Sequence, residues 1–491
     1  MVGAIADFFR FTWGILYWNG RKSLFQLGRG RFANPCQNPS DSGKAMETSC
    51  DACQHWDRPA RFARVCPLLV ATPRGLRCAV NSADVRPFWG KAVLFYGGIL
   101  AAVYVLGVGS VFGYLRHIHF PVSLVQVGWP GQWHHITEQQ SPYFLNQAHL
   151  SFAEGKPREA LLDLENAYEA DPLNYEAALE NAENNQAGQP ALADAIYGKL
   201  LLDHPENRAR TSSLWLRSLL SRADYPQIAR LASAEVVAEP EHANVWMRAL
   251  IFSTRQSKDP ATLLRLRQRR ELAPWSRVLD AEILSYAPPD PTAAPVPAEL
   301  WPSPQPAYAV YYQISALLDA YRTVEALDDL EQTRHRLDGP SRIMLRLKGL
   351  AMTGDNDLRE QEIRGLFATS VAPATVELIC AHLIAYPNAA SLHVVYEALQ
   401  RHENQITHEN LGAWLSLFCA AGTERDFSLM TAIGVRLRNT PFAPVLVLEA
   451  LESFFKKESA ARRVTTFLPF VPLPLEVMYS LLAATPTPTG R

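Results

Sequence analysis

The chain has 491 residues, of which 48% are hydrophobic and 20% charged, and its formal net charge is −2. That is room for more than one domain, and the balance is a globular one, which excludes a largely disordered chain and a polytopic membrane protein. The near-neutral total hides an asymmetry: residues 1–91 hold 13 Lys and Arg against 6 Asp and Glu, whereas residues 92–491 hold 34 against 43. Cys36, Cys50, Cys53, Cys66 and Cys78 also fall in the basic part, leaving Cys380 and Cys419 for the rest. Charge and cysteine change at the same point.

Residues 1–35 read as an amphipathic helix followed by a basic linker. The stretch Ala4–Trp18 is too short to cross a bilayer, carries Asp7 and Arg10, and is followed by no small-residue cleavage site. The expectation is a helix on the membrane surface, with Arg21, Lys22, Arg29 and Arg31 toward anionic headgroups; a core helix of an N-terminal domain fits the same residues.

Residues 36–86 form a cysteine-bearing module with little periodicity. A CxxC turn at Cys50 and Cys53 lets two thiolates converge on one tetrahedral ion, and a segment this poor in apolar runs would gain order from it. Structural zinc on Cys36, Cys50, Cys53 and Cys66 is the first expectation, with Cys78 or His55 able to replace a member. An iron–sulfur cluster and unligated or redox thiols stay open, because the segment has one CxxC pair and a zinc ribbon has two. Haem attachment is excluded, since Gln54 follows Cys53 where histidine is required.

Residues 92–115, AVLFYGGILAAVYVLGVGSVFGYL, contain no charge and are long enough to span a hydrocarbon core of roughly 30 Å. Trp89 and Lys91 precede them and Tyr114, Arg116 and His117 close them, as anchors at the two interfaces. The basic excess lies before the helix, so the N-terminus is expected in the cytoplasm and the C-terminal domain outside, in a single-pass protein of a bacterial inner membrane. Gly98, Ala102, Gly109 and Gly113 share one face, a small-residue seam suited to helix association and a homodimer. In the connector, residues 116–140, His117, His119, His134 and His135 accompany Trp129 and Trp133. These residue types suit the interfacial zone better than a transition-metal site.

Residues 141–287 and 307–482 read as two blocks of short amphipathic helices, separated by a proline-rich linker over 288–306 and followed by a disordered tail over 483–491. The fold class is therefore all-α. In Tyr143–Glu176, Ala148, Gly155, Ala160, Ala167 and Pro172 occupy the small-residue, turn and stop positions of a 34-residue helix–turn–helix. This resembles a tetratricopeptide repeat (TPR), and the chain is read as a membrane-anchored TPR-like solenoid. Pro172, Pro205 and Pro240 continue the period, Asn181 breaks it at a helix crossing, and the turns at Gly354 and Gly422 stand two periods apart. The resemblance implies binding of a protein or peptide along the first helices, with Leu145, His149, Phe152, Tyr175 and Asn185 on that face.

No P-loop or nucleophile elbow occurs, and His402-Glu403 lacks a zincin's second histidine because Ile406 stands in its place. Cys380 and Cys419 lie in apolar helical runs, as core residues or as a disulfide in an oxidising compartment. Nucleic acid is not expected on the acidic large domain. The expected function is a non-catalytic scaffold at the outer membrane face. A signalling or envelope-assembly component using the cysteine module, or an envelope-polysaccharide enzyme with a dispersed site, stands second.

Overall fold

The computed structural model describes residues 2–28, 69–73, 75–78, 89–118, 120–286, 305–368, 371–402, 405–441, 445–457 and 463–485, with single positions 31, 87 and 301. Among the described residues it is helical apart from one two-stranded hairpin. The chain divides into two compact units, Met1–Tyr143 and Phe144–Arg491.

In the first unit, α1 (Val2–Leu27) is one helix that runs past Ala4–Trp18. The Thr12 and Tyr96 hydroxyls stand 3.2 Å apart and the Trp89 indole donates to Ser23 at 2.8 Å, so α1 lies antiparallel to the start of α2 (Trp89–His117). Lys22, expected at the headgroups, is only 1% exposed. It stands three and seven residues from Asn19 and Ile15, on the helix face that all three bury.

Strands β1 (Leu69–Thr72) and β2 (Gly75–Cys78) pair antiparallel with Leu69 opposite Cys78, so this end of the cysteine module is a ladder, not a loop. Cys36, Cys50, Cys53, Cys66 and His55 lie outside the described residues. Within α2, Val93–His117 is long and apolar enough to cross a membrane, and among the described residues it is the one such helix. Its Leu94, Leu100 and Leu106 point outward. The short α3 (Leu124–Gly128) and the start of α4 (Trp133–Ala153) complete the unit.

The second unit is built from helix pairs: the end of α4 with α5 (Pro157–Ala170), α6 (Tyr175–Asn185) with α7 (Pro190–Asp203), α8 (Arg208–Arg222) with α9 (Tyr225–Ala238), and α10 (Ala243–Ser257) with α11 (Pro260–Arg267). After α12 (Ser276–Ser285) come α13 (Ala307–Asp319) with α14 (Thr323–Thr333), α15 (Gly339–Thr353) with α16 (Asn356–Leu366), α17 (Pro373–Ala385) with α18 (Ala389–His402), and α19 (Leu411–Glu424) with α20 (Phe427–Arg438). α21 (Val445–Lys457) and α22 (Leu475–Ala484) end the chain.

The first pair forms as its sequence dictates. Ala148, Ala160 and Ala167 are fully buried where helices cross, and Gly155 takes φ +74° in the turn. Later turns share one device: Ala223, Lys258, Gly354 and Arg425 each adopt a left-handed C-cap, and the following Asp224, Asp259, Asp355 or Asp426 caps the next helix. Gly422 is therefore not the counterpart of Gly354. It lies inside α19, where a Cβ would meet the Phe455 ring at 2.5 Å, so its glycine serves close packing. Trp301, at the end of the proline-rich stretch, is buried and its amide donates to Gln313 at 3.0 Å.

α17 is predominantly apolar and buried on most of its circumference, with Val376, Ile379, Cys380, Ala381 and Leu383 buried, because α15, α18, α19 and α22 all pack on it. α22 does not continue the stacking order of the pairs. It packs on α17 and α8, far back in the sequence.

Candidate protein-binding face

The first helices of the early pairs present side chains to a common face, and polar side-chain contacts join each helix to the next. His149 Nε2 on α4 lies 2.8 Å from Glu180 on α6, and Glu176 on α6 accepts two bonds from Arg210 on α8 at 2.6 and 3.1 Å. The Arg210 guanidinium also lies over the Tyr175 ring, whose hydroxyl is 3.1 Å from Thr211 Oγ1.

Of the residues the sequence placed on this face, His149 and Phe152 are exposed, with exposed Leu150 beside them, and Leu145 is half-buried. Tyr175 is half-buried within the contacts just described. Asn185 donates to the carbonyl and side-chain oxygens of buried Asn181 at 2.9 and 2.7 Å, so it satisfies the polar group that breaks the repeat pattern.

Further along, the same face is occupied by the chain's own C-terminal segment. Arg217 on α8 donates to the Leu473 carbonyl at 2.6 Å, Arg248 on α10 donates to Glu476 at 2.5 Å, and Phe252 meets Tyr479 edge-on at 4.7 Å. A cavity of about 260 Å³ remains between Glu183, Gln186, Leu214 and Arg217 on one side and Leu468–Pro472 on the other. Another of about 220 Å³ is walled by Arg248, Arg255, Tyr308, Tyr311, Tyr312 and Tyr479. Burial raises the Glu183 and Glu377 carboxyls against the pull of Arg217, and burial lowers Arg217 against theirs. Ser221, in the wall of the first cavity, donates to the Ser218 carbonyl at 2.7 Å. These are the features of a packed, charge-balanced groove.

Nothing in the sequence directs Glu476 toward Arg248 across 228 positions. The usable local signal is the spacing of Arg248, Phe252 and Arg255, which puts two guanidiniums and a ring on one stripe of α10.

Elsewhere, His134, His135 and Glu138 place one ligand atom each within 4.8 Å of one another, all exposed, and could hold a metal ion. His135 Nδ1 is already 2.9 Å from Glu138. Cys380 and Cys419 are free, buried thiols, not a disulfide. Burial pushes the first well above the ordinary thiol value and the second up to about 12, which suits inert core residues. On α2, Gly98, Gly109 and Gly113 have nothing within 4 Å of a built Cβ, and Ala102 is exposed beside them.

Compared with known proteins, the chain matches no protein-family model, no curated protein and no solved structure. Neither fold family nor activity therefore comes to it by similarity.

Proposed function

We propose that the chain is a membrane-anchored interaction scaffold, in which α2 holds a TPR-like array of helix pairs at the outer face of a membrane. The observation that carries this reading is the outward-facing apolar surface of α2, which in water would cost about 25 cal/mol per Å² and which lipid covers. The array is supported by the recurring left-handed C-cap followed by a capping Asp.

The partner is a protein segment that docks on the uncovered end of the first-helix face, at Leu145, His149 and Phe152. Own-chain residues fill the face from Arg217 onward, so the open end is where a partner has access. A photo-crosslinker at Phe152 should give a discrete protein adduct in intact cells. The same group at exposed Val324 on α14 should give none. Adducts at neither position would retire the reading.

Zinc on Cys36, Cys50, Cys53 and Cys66 belongs to the same proposal and rests on the CxxC spacing alone. Full-length protein purified under zinc-replete, reducing conditions should hold about one equivalent of metal, and Cys50→Ser or Cys53→Ser should each abolish it. A metal-free preparation would remove zinc and leave the scaffold reading intact.

A further inference from the structure

We infer that residues 120–133 form a second lipid contact, a turn seated beside α2 in the leaflet on the C-terminal side of the span; this rests on the reading of α2 as membrane-spanning. After His117 the chain reverses, with the Phe120 amide donating to the Leu115 carbonyl at 2.9 Å and the Val122 amide to Phe120 at 2.9 Å. It then runs back along the helix it has just left. Phe120, Val122 and Val127 are buried against Val108, Phe112 and Leu115.

The Tyr104 hydroxyl donates to the Gly128 carbonyl, and a Cβ on Gly128 would lie 3.4 Å from Val108. Tyr104 stands well before His117, roughly 20 Å along a helix rising about 1.5 Å per residue. The tip of the turn therefore lies alongside the apolar middle of α2, deeper than a headgroup layer.

Its chemistry suits that depth. No Lys, Arg, Asp or Glu occurs between Arg116 and Glu138. Several of its polar groups are paired internally: Ser123 and Gln126 cap each other at 2.8 and 3.3 Å, the Trp129 amide donates to Val125 at 2.9 Å, and the Trp133 indole donates to the Val127 carbonyl at 3.0 Å. Backbone at membrane depth requires such pairing. What remains outward is apolar: Leu124, Val125, Trp129 and Trp133 are 53–64% exposed. That surface is continuous with the outward side chains of α2, which makes lipid its occupant. The small-residue seam of Gly98, Ala102, Gly109 and Gly113 faces away from Tyr104 and Val108 and stays open for another helix.

The test uses the full chain reconstituted in bilayers whose lipids carry brominated acyl chains, comparing wild type with Trp129→Phe/Trp133→Phe and, separately, Trp89→Phe. The emission removed by the double substitution should be emission that bromine quenches, as should the emission removed at Trp89. Trp129 and Trp133 emission quenched by aqueous acrylamide and not by bromine would overturn the inference. Protection from both quenchers would overturn it in favour of a protein contact. Loss of bromine quenching at Trp89 as well would instead show that α2 does not enter the bilayer. Trp129→Phe alone keeps the Trp133 bond and repeats the measurement if the double variant misfolds.

Discussion

His382 lies fully buried on α17, with neither ring nitrogen hydrogen-bonded and its ring stacked on Tyr386 at 5.3 Å. Burial, reinforced by the charge of Arg359, pushes its pKa down to about 3, so the folded protein holds it neutral. The unfolded chain protonates this residue below about 6.5, so it binds more protons than the folded chain between there and about 3. Stability contributed by a neutral His382 is therefore complete above the unfolded value and falls by about 1.4 kcal/mol for each pH unit below it. Glu183 and Glu377 act in the opposite sense, because burial raises their carboxyls and favours the folded state as they protonate. The contribution of His382 is isolated by difference: the loss of melting temperature between pH 6.5 and 4.5 should be smaller in His382→Phe than in wild type. Equal slopes would mean that this imidazole is hydrated or paired in solution. By contrast, buried Glu282 is satisfied by Arg255 at 2.8 and 2.6 Å and by the Tyr312 hydroxyl at 2.8 Å, so its charge is matched where that of a protonated His382 would not be.

Among the elements, α22 joins the early and late halves of the large unit. Met478 and Leu481 are 1% exposed and belong to the same core as α8, α10 and α17. Met478→Ala and Leu481→Ala should each cost about 2–5 kcal/mol, measured as a fall in urea midpoint at constant slope. Leu446→Ala, on the exposed side of α21, should change stability by less than about 0.5 kcal/mol. Equal effects at the three sites would mean that α22 is detached in solution. The first helix pair could be read in advance because Ala148, Gly155 and Ala160 act within one local turn and crossing. The role of α22 could not, since its spacing of Val477, Met478 and Leu481 marks a buried face without naming the surface that buries it. Gly422 was misleading for a related reason: glycine permits both a left-handed turn and a close approach, and only the position of Phe455 decides between them. The β1–β2 hairpin was hidden because each strand has four residues, too short for alternation to stand out. On the candidate face, the periodicity of α4 suffices to bring His149 and Phe152 to one exposed side. The engagement of Tyr175 by Thr211 and Arg210 depends on a partner helix 36 residues later.

For the molecule as a whole, the proposed topology follows from the distribution of charge about α2. Arg74, Arg77, Arg86 and Lys91 lie shortly before the uncharged stretch 92–115, while Arg116 is the one Lys or Arg between the end of that stretch and Glu138. Basic flanks are retained on the cytoplasmic side, and residues close to a span weigh most in that bias, so the asymmetry predicts this orientation whatever the charge of the distant helix pairs. The proposed orientation would put Cys36–Cys78 in a compartment that keeps thiols reduced. It would put the helix pairs in an oxidising one, where the complete burial of Cys380 and Cys419 would shield them. Alkaline phosphatase, which needs its own disulfides, reports the difference. Fused after residue 140 it should be active, and fused after residue 80 it should be silent. Moving positive charge should shift the balance in a known direction: replacing Arg74, Arg77, Arg86 and Lys91 with Gln should lower the activity of the fusion after residue 140. Activity after residue 80 with silence after residue 140 would reverse the orientation, and the proposed zinc module and partner-binding face would then exchange compartments.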